Sequence, residues 1–266
     1  VIIRELKAVA KAYQKPRRSL LYYPTPEDGQ EPEQQVPDYP VHLFFTQEGY
    51  FKKITPQSLR MSGEQKLKEG DRVAQQLEAS NGADLLFFTD RCQVYKAKAS
   101  DFEDGKASQL GDYIPAKLGM EEGESAVFLA ATREYAGWML FFFQNGKAAK
   151  VPLSSYATKT NRKKLLGAYS GQSPLAAAFQ LEEDREFLLA ASGGRMLLVH
   201  SGAIPAKATR GSQGVAVMAL KRGNFLATVR PFTEELVANP HRYRTKTLPA
   251  AGQLPRPEDR GEQLTF

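Results

Sequence analysis

Cysteine is almost missing from this chain of 266 residues, with Cys92 its single occurrence. An intramolecular disulfide is therefore excluded and a cysteine-based zinc site is disfavoured. A reducing, cytoplasmic setting is the expectation. Long apolar runs are missing too: the longest, Trp138 to Phe143, spans about six residues, against the ~20 that a membrane-spanning helix requires. Histidine is scarce, and His42, His200 and His241 lie far apart, so they read as packed or surface residues rather than ligands. Gly105-Lys106 and Gly146-Lys147 are each followed by Ala, which rules out a phosphate-binding P-loop. Neither G-x-S-x-G nor H-E-x-x-H occurs. The acidic cluster Asp101, Glu103 and Asp104 reads as a solvated loop. No catalytic constellation, metal site or cofactor is expected. The chain opens on Val without a charged and apolar leader, and so reads as a piece of something longer.

The apolar fraction of 42% and charged fraction of 25% suit a globular protein with a substantial core. Ile2, Ile3, Leu6, Val9, Ala10 and Tyr13 recur at helical spacing, and Pro16 ends that helix. Five prolines between residues 24 and 40 (Pro24, Pro26, Pro32, Pro37, Pro40) mark a linker. The expected organisation is a helix end over 1–18, a linker over 19–40, a β domain over 41–247 and a tail over 248–266.

Within the β region one unit recurs. An apolar strand, a tight turn and a second strand appear at Val41–Ile54, Leu85–Lys96, Trp138–Val151 and Phe187–Val199. The third turn residue is Gly49, Cys92, Gly146 and Gly194 in turn, and glycine supplies the positive φ such hairpins use. Cys92 must either tolerate that geometry or sit in a different turn. Charged turns at Glu69–Val73, Glu122–Glu124, Glu182–Asp184 and Arg222–Asn224 are read as introducing a further strand in each unit. Repeats of 40 to 50 residues with about four strands each are the signature of propeller blades. The fold class is all-β, a propeller-like β-pinwheel of four to six blades preceded by the end of a helix. Leu20–Tyr23 and Phe225–Phe232 are candidate strands of a further, degenerate blade. Thr233–Pro240 reads as one or two helical turns.

The formal charge is only +6, so the placement of cations matters more than their number. Four residues after the turn position stand Lys53, Lys96, Lys150 and then Leu198; directly after it stand Tyr50, Gln93, Lys147 and Arg195. Lys159, Arg162, Lys163 and Lys164 cluster in one inter-strand stretch; Arg60, Lys66 and Lys68, and Lys207, Arg210, Lys221 and Arg222, occupy comparable ones. A basic column repeated around a propeller would form a rim suited to phosphates. Lysines also protect exposed strand edges, and the residues alone leave both readings open.

Phe45-Thr46-x-x-Gly49-Tyr50-Phe51-Lys52-Lys53 resembles the T-x-x-G-Y-I-K-R hairpin of the C-terminal domain of the A subunits of bacterial type IIA DNA topoisomerases. Leu85–Thr89 with Val94-Tyr95 is similar to that family's L-L-F-F-T-x-x-G-x-V-Y, and Arg210–Val215 to its R-x-x-x-G-V. Glu5 to Ser19 looks like the end of the coiled-coil helix where the body of the enzyme meets that domain. The resemblance implies a β-pinwheel whose blades exchange a strand and whose basic perimeter binds and bends duplex DNA. It carries over Lys52, Lys53, Lys96, Lys147, Lys150 and Arg195 as phosphate contacts, to which Lys159, Arg162, Lys163, Lys164 and Arg210 are added from the basic stretches. The implied partners are double-stranded DNA, the rest of the A subunit, and the ATPase B subunit, in the bacterial cytoplasm at the nucleoid. The catalytic tyrosine belongs to a breakage-reunion domain outside this sequence. The gyrase heptapeptide Q-R-R-G-G-K-G is not matched at Arg60–Gly70, so topoisomerase IV-like decatenation or relaxation is expected rather than supercoiling. A propeller scaffold for protein partners, without nucleic-acid binding, is the alternative reading.

Overall fold

A computed structural model of the chain describes residues 2–13, 37–61, 64–158 and 162–259. The chain divides into two units, Val1–Val36 and Pro37–Phe266. In the first, α1 (Ile2–Tyr13) forms where the periodicity places it, and its apolar residues Ile2, Leu6, Val9 and Tyr13 are exposed. Pro16 and Leu20–Tyr23 lie outside the described residues. The expected linker ends too late: the Pro37 carbonyl accepts a hydrogen bond from Asn81 at 2.9 Å, the Tyr39 hydroxyl donates to Asp104 at 2.8 Å, and Pro40 opens the first strand.

The second unit consists of strands with short helical turns. In chain order these are β1 (Pro40–Thr46), β2 (Tyr50–Ile54), α2 (Pro56–Met61), β3 (Val73–Ser80), β4 (Asp84–Thr89), β5 (Gln93–Lys98), β6 (Asp112–Tyr113), α3 (Ile114–Lys117), β7 (Ala126–Thr132), β8 (Trp138–Phe143), β9 (Lys147–Pro152), β10 (Lys164–Leu166), β11 (Leu175–Leu181), β12 (Glu186–Ala191), β13 (Met196–His200), β14 (Val215–Ala216), β15 (Leu226–Pro231) and α4 (Pro240–Tyr243). They form four antiparallel sheets, ordered β3-β1-β2-β6, β7-β4-β5-β10, β11-β8-β9-β14 and β15-β12-β13. These are the four blades of a β-propeller, the lower end of the expected range. The hairpins pair in the predicted register, and Cys92 takes the left-handed conformation at φ 57°, where Gly49, Gly146 and Gly194 stand in the other blades. The charged turns lead into β3, β7 and β15 as expected, whereas Glu182–Asp184 connects β11 to β12; the strand of the third unit is introduced by Gly171–Pro174 instead. Phe225–Phe232 is not a further blade, because it contains β15, the third strand of the fourth sheet.

Alternation explains why runs such as Phe141-Phe142-Phe143 are apolar throughout. Successive strand residues face opposite sides of a blade, and both sides are covered by neighbours. Phe45 and Phe87 belong to the core between blades one and two, Phe88 and Phe141 to that between two and three, and Phe142 and Phe187 to that between three and four. The end blades are capped differently. Phe44 and Ile54 pack beneath Leu59 of α2, and Leu188 and Leu198 pack against Val237 and Tyr243.

The strands β3, β7, β11 and β15 occupy the inner ends of the blades, linked by side-chain amides. Gln75 exchanges hydrogen bonds with the Leu129 backbone, and Gln180 with that of Ala131. The outermost strand of each of the first three blades comes from the following unit: β6, β10 and β14 lie after β5, β9 and β13 in sequence yet pair with β2, β5 and β9. Gly214 shows why R-x-x-x-G-V fits this job. Its φ is 72°, and a Cβ there would sit 1.9 Å from the Ala148 carbonyl oxygen, so only glycine lets β14 approach β9. Gly111 makes the same approach to Phe51 in blade one.

In the fourth blade the C-terminal segment takes the outer position. Gly252 approaches Met196 as Gly214 approaches Ala148, Gln253 bridges Met196, and Arg244 bridges Leu198 as Asp104 bridges Lys53 and Ala206 bridges Lys150. Residues 248–259 are therefore part of the domain rather than the expected tail. Leu248 and Ala250 pack on the core between blades three and four, and buried Asp259 accepts hydrogen bonds from the Tyr243 hydroxyl and the Ala238 amide.

Candidate nucleic-acid interface

The repeated lysine column is enclosed, with Lys53 and Lys150 buried and Lys96 half-buried. Lys53 is 3% exposed; its ammonium lies 2.6 Å from the Asn81 amide oxygen and 3.1 Å from Asp104, near the Tyr39 ring. Lys96 donates to the Tyr156 carbonyl and the Thr158 hydroxyl and lies 5.0 Å from the centroid of the Tyr135 ring. Lys150 is 5% exposed, bonds to Asp184 at 2.6 Å and sits over the Trp138 ring at 4.5 Å. Burial lowers the pKa of Lys96, and its aromatic cover and acceptors hold the charge in place. In blades one to three the second hairpin strand thus aims a cation at an aromatic ring and at acceptors on neighbouring segments, while Leu198 takes this position in blade four.

The other aligned positions also serve blade closure. Lys52 is enclosed, and its ammonium reaches the carbonyls of Lys66, Ala107 and Gln109 at 3.0, 3.3 and 3.0 Å; burial lowers its pKa. Lys147 donates to Gln213 beside β14, and Arg195 to the Gly252 carbonyl. These two hold the incoming outer segments of the third and fourth blades. Lys52, Lys53 and Lys150 are thereby removed from the surface, which corrects the expectation that they contact phosphate. Lys96, Lys147 and Arg195 are half-buried and already bonded within the fold. Spacing alone did not reveal this, because a strand buried on both faces gives no polar side to aim a lysine at.

Among the cations the sequence reading selected, the exposed ones lie on the segment that leads into β10. Arg162 and Lys163 are exposed. Lys164 bonds to Glu121 at 2.7 Å, a contact that together with Tyr95 pushes its pKa up to about 12. Arg210 is half-buried, donates to the Ser155 carbonyl and lies 5.9 Å from the Tyr156 ring. Lys159 lies outside the described residues. In sequence, residues 153–166 of this outer layer carry four cations, 201–216 carry two and 240–256 carry four, all without a carboxylate. The basic members of the last segment were missed: Arg242, Arg244 and Lys246 lie in the expected β domain but outside the repeated hairpins, and Arg256 lies in the expected tail. The absence of Asp and Glu from 240–256 was the available signal.

The inner end of the fold has the opposite sign. A cleft of about 510 Å³ between the ends of β3, β7 and β11 is lined by Glu78, Glu134 and Glu182, with Arg133 paired to Asp38. Among the described residues no group of His, Cys, Asp or Glu is placed to hold a metal ion, and no helix is long and apolar enough to cross a membrane.

Comparison with known proteins fits this architecture. The family described as the DNA gyrase C-terminal domain, beta-propeller, matches residues 185–233. The A subunit of DNA topoisomerase 4 from Bacillus subtilis is 26% identical over 170 residues, which are 62% of this chain and 21% of that protein. The A subunit of DNA gyrase from Mycoplasma pneumoniae is 24% identical over 236 residues, 85% of this chain and 28% of that protein. The chain thus spans about a quarter of the length of these relatives. A crystal structure of the C-terminal domain of DNA topoisomerase IV superposes with a TM-score of 0.63 at 22% identity, covering 74% of this chain and 62% of that one. In fold and in sequence, the chain is thus similar to the C-terminal domains of gyrase A and topoisomerase IV A subunits.

Proposed function

We propose that this domain binds duplex DNA without regard to sequence along the outer edges of its blades and bends it there, as an accessory part of an ATP-dependent type II topoisomerase. The observation that carries the reading is that the segments 153–166, 201–216 and 240–256, which supply the outer edges of blades two, three and four, are basic and contain no carboxylate of their own, set against the acidic cleft at the inner end. A duplex is attracted to unpaired cations and repelled by carboxylates, so this polarity directs it to the perimeter. Arg162, Lys163, Lys164 and Arg210 are the contacts retained from the sequence reading, and Lys159 is kept from its sequence alone. Arg242 and Lys246 are added.

The partners that follow are double-stranded DNA, the remainder of the A subunit, and the ATPase B subunit, in a bacterial cytoplasm at the nucleoid. The mismatch to the gyrase heptapeptide at Arg60–Gly70 favours decatenation or relaxation over supercoiling by wrapping. The test is the affinity for a 40-base-pair duplex across a salt series. A log–log slope of about −4 or steeper corresponds to four or more neutralised phosphates. Absence of binding at low salt would overturn the reading and leave the protein-interaction scaffold in its place.

A further inference from the structure

The outer edges of the blades are not alike. Residues 99–113, which form the outer layer of blade one, carry Asp101, Glu103, Asp104 and Asp112 against the single Lys106. The segment that runs beside them, 64–72, holds Glu64, Glu69 and Asp71 against Lys66, Lys68 and Arg72 and adds no net charge. Its Lys66 amide donates to the Ala107 carbonyl at 2.8 Å, so the two segments share one edge. Several cations there are already paired: Lys53 with Asp104, Lys68 with Glu48, and Lys117 with Asp112. Glu103 is exposed. Blades two and four show the reverse, with Arg162, Lys163, Arg242 and Lys246 exposed on segments that contain no carboxylate, Lys164 and Arg244 there pairing with Glu121 and Glu186 of other segments; the equally carboxylate-free segment of blade three holds Lys207 and Arg210, both half-buried.

Resting on the DNA-binding reading, we propose that the duplex contacts an arc of blades two to four and leaves the domain before the edge of blade one. The reason is electrostatic. A phosphate drawn to Lys106 would come close to Glu103 and Asp101 as well, and the counterions released at the lysine would be retained at the carboxylates. The chain end contributes to the arc. Because the C-terminal segment fills the outer position of blade four, Arg242 and Lys246 extend the basic edge to the last blade. DNA on this domain is therefore held over three blades, with its exit set by the boundary between blades one and two.

The experiment compares K106Q, K163Q and K246Q in the full chain on the same 40-base-pair duplex through a salt series. All three side chains are exposed, and thermal unfolding checks that each variant folds as the parent does. K163Q and K246Q are expected to lower the steepness of the log–log slope by about one unit each and to weaken binding roughly three- to tenfold at 0.1 M salt, as the loss of one phosphate contact requires. K106Q is expected to leave the slope unchanged and the affinity within about twofold. A loss at K106Q equal to those at K163Q and K246Q, or no loss at K163Q and K246Q, would overturn the arc while leaving DNA binding itself standing. Failure of the parent chain to bind would instead remove the DNA reading on which the arc rests.

Discussion

Lys150 and Lys163 are the same residue type, thirteen positions apart, and do different work. Lys150 is enclosed between Asp184 and the Trp138 ring, whereas Lys163 projects from the segment leading into β10. What separates them is the strand each sits on. A hairpin strand is packed between two neighbouring blades, so a cation there must find its partners inside. The exchanged outer strand has solvent on one side, so a cation there keeps its charge available. The repeated basic column is thus bonded within the fold, and the unrepeated basic segments are the ones that keep cations such as Arg162 and Lys163 exposed.

The largest effect should come from removing the C-terminal segment. Truncation after Asn239 takes away buried Tyr243 and Asp259, the Arg244–Glu186 pair and the Gln253 bridge. Loss of one buried aromatic alone costs about 3–5 kcal/mol, so the melting temperature should fall by many degrees. An unchanged melting temperature would show that the segment does not complete blade four.

Next in size is the structural column. K150M removes the cation from a pair in which Asp184 keeps the Ser201 hydroxyl and partial solvation, so a loss of about 1–3 kcal/mol is expected in urea unfolding. The DNA salt slope should stay that of the parent. A reduced slope with unchanged stability would exchange the roles assigned to the two sets of lysines.

Acid should sharpen the same point. Burial by itself would raise the Asp184 carboxyl, but Lys150 and Ser201 outweigh it and hold its pKa below the ordinary value; Arg244 does likewise for Glu186. For a carboxylate depressed in the fold, the stabilisation is present above the unfolded pKa near 4 and is lost as pH falls through the folded value. The urea midpoint should therefore drop as the pH goes from about 5 to below 4, and K150M should flatten that drop. A profile identical in K150M would detach Asp184 from Lys150.

The smallest effect belongs to the hairpin turns. Cys92 holds a left-handed backbone that Gly49, Gly146 and Gly194 adopt freely, while its side chain packs on the core between blades two and three. C92G relieves about 1 kcal/mol of backbone strain and loses a comparable amount of packing, so stability should change by less than about 1 kcal/mol. A large loss would mean that the side chain contributes more than its contacts indicate.

Much of the fold was legible in the sequence because the hairpins are local: their pairing is fixed by turn glycines and apolar runs, as Phe45–Phe51 and Phe142–Ala148 illustrate. The exchanged strands were less so. β6 and β14 are two residues long and β10 three, too short for periodicity, and their partners lie in the preceding unit. The site suffered from the same limit. Lys53, Lys96 and Lys150 repeat visibly, but their partners Asp104, Tyr156 and Asp184 come from segments 34 to 60 residues away, and only the folded chain brings them together. The basic segment 240–256 went unread, its last part from Leu248 being taken for a tail, because nothing in its composition announces that it fills a strand position.

The most direct measurement is the salt dependence of 40-base-pair duplex binding for the parent chain and for a quadruple variant, R162Q/K163Q/R242Q/K246Q, beside K150M. The expected result is a slope shallower by about 3–4 units for the quadruple variant, with its melting temperature kept, and a parental slope for K150M. A parental slope in the quadruple variant would contradict the assignment of DNA contact to the exchanged outer edges.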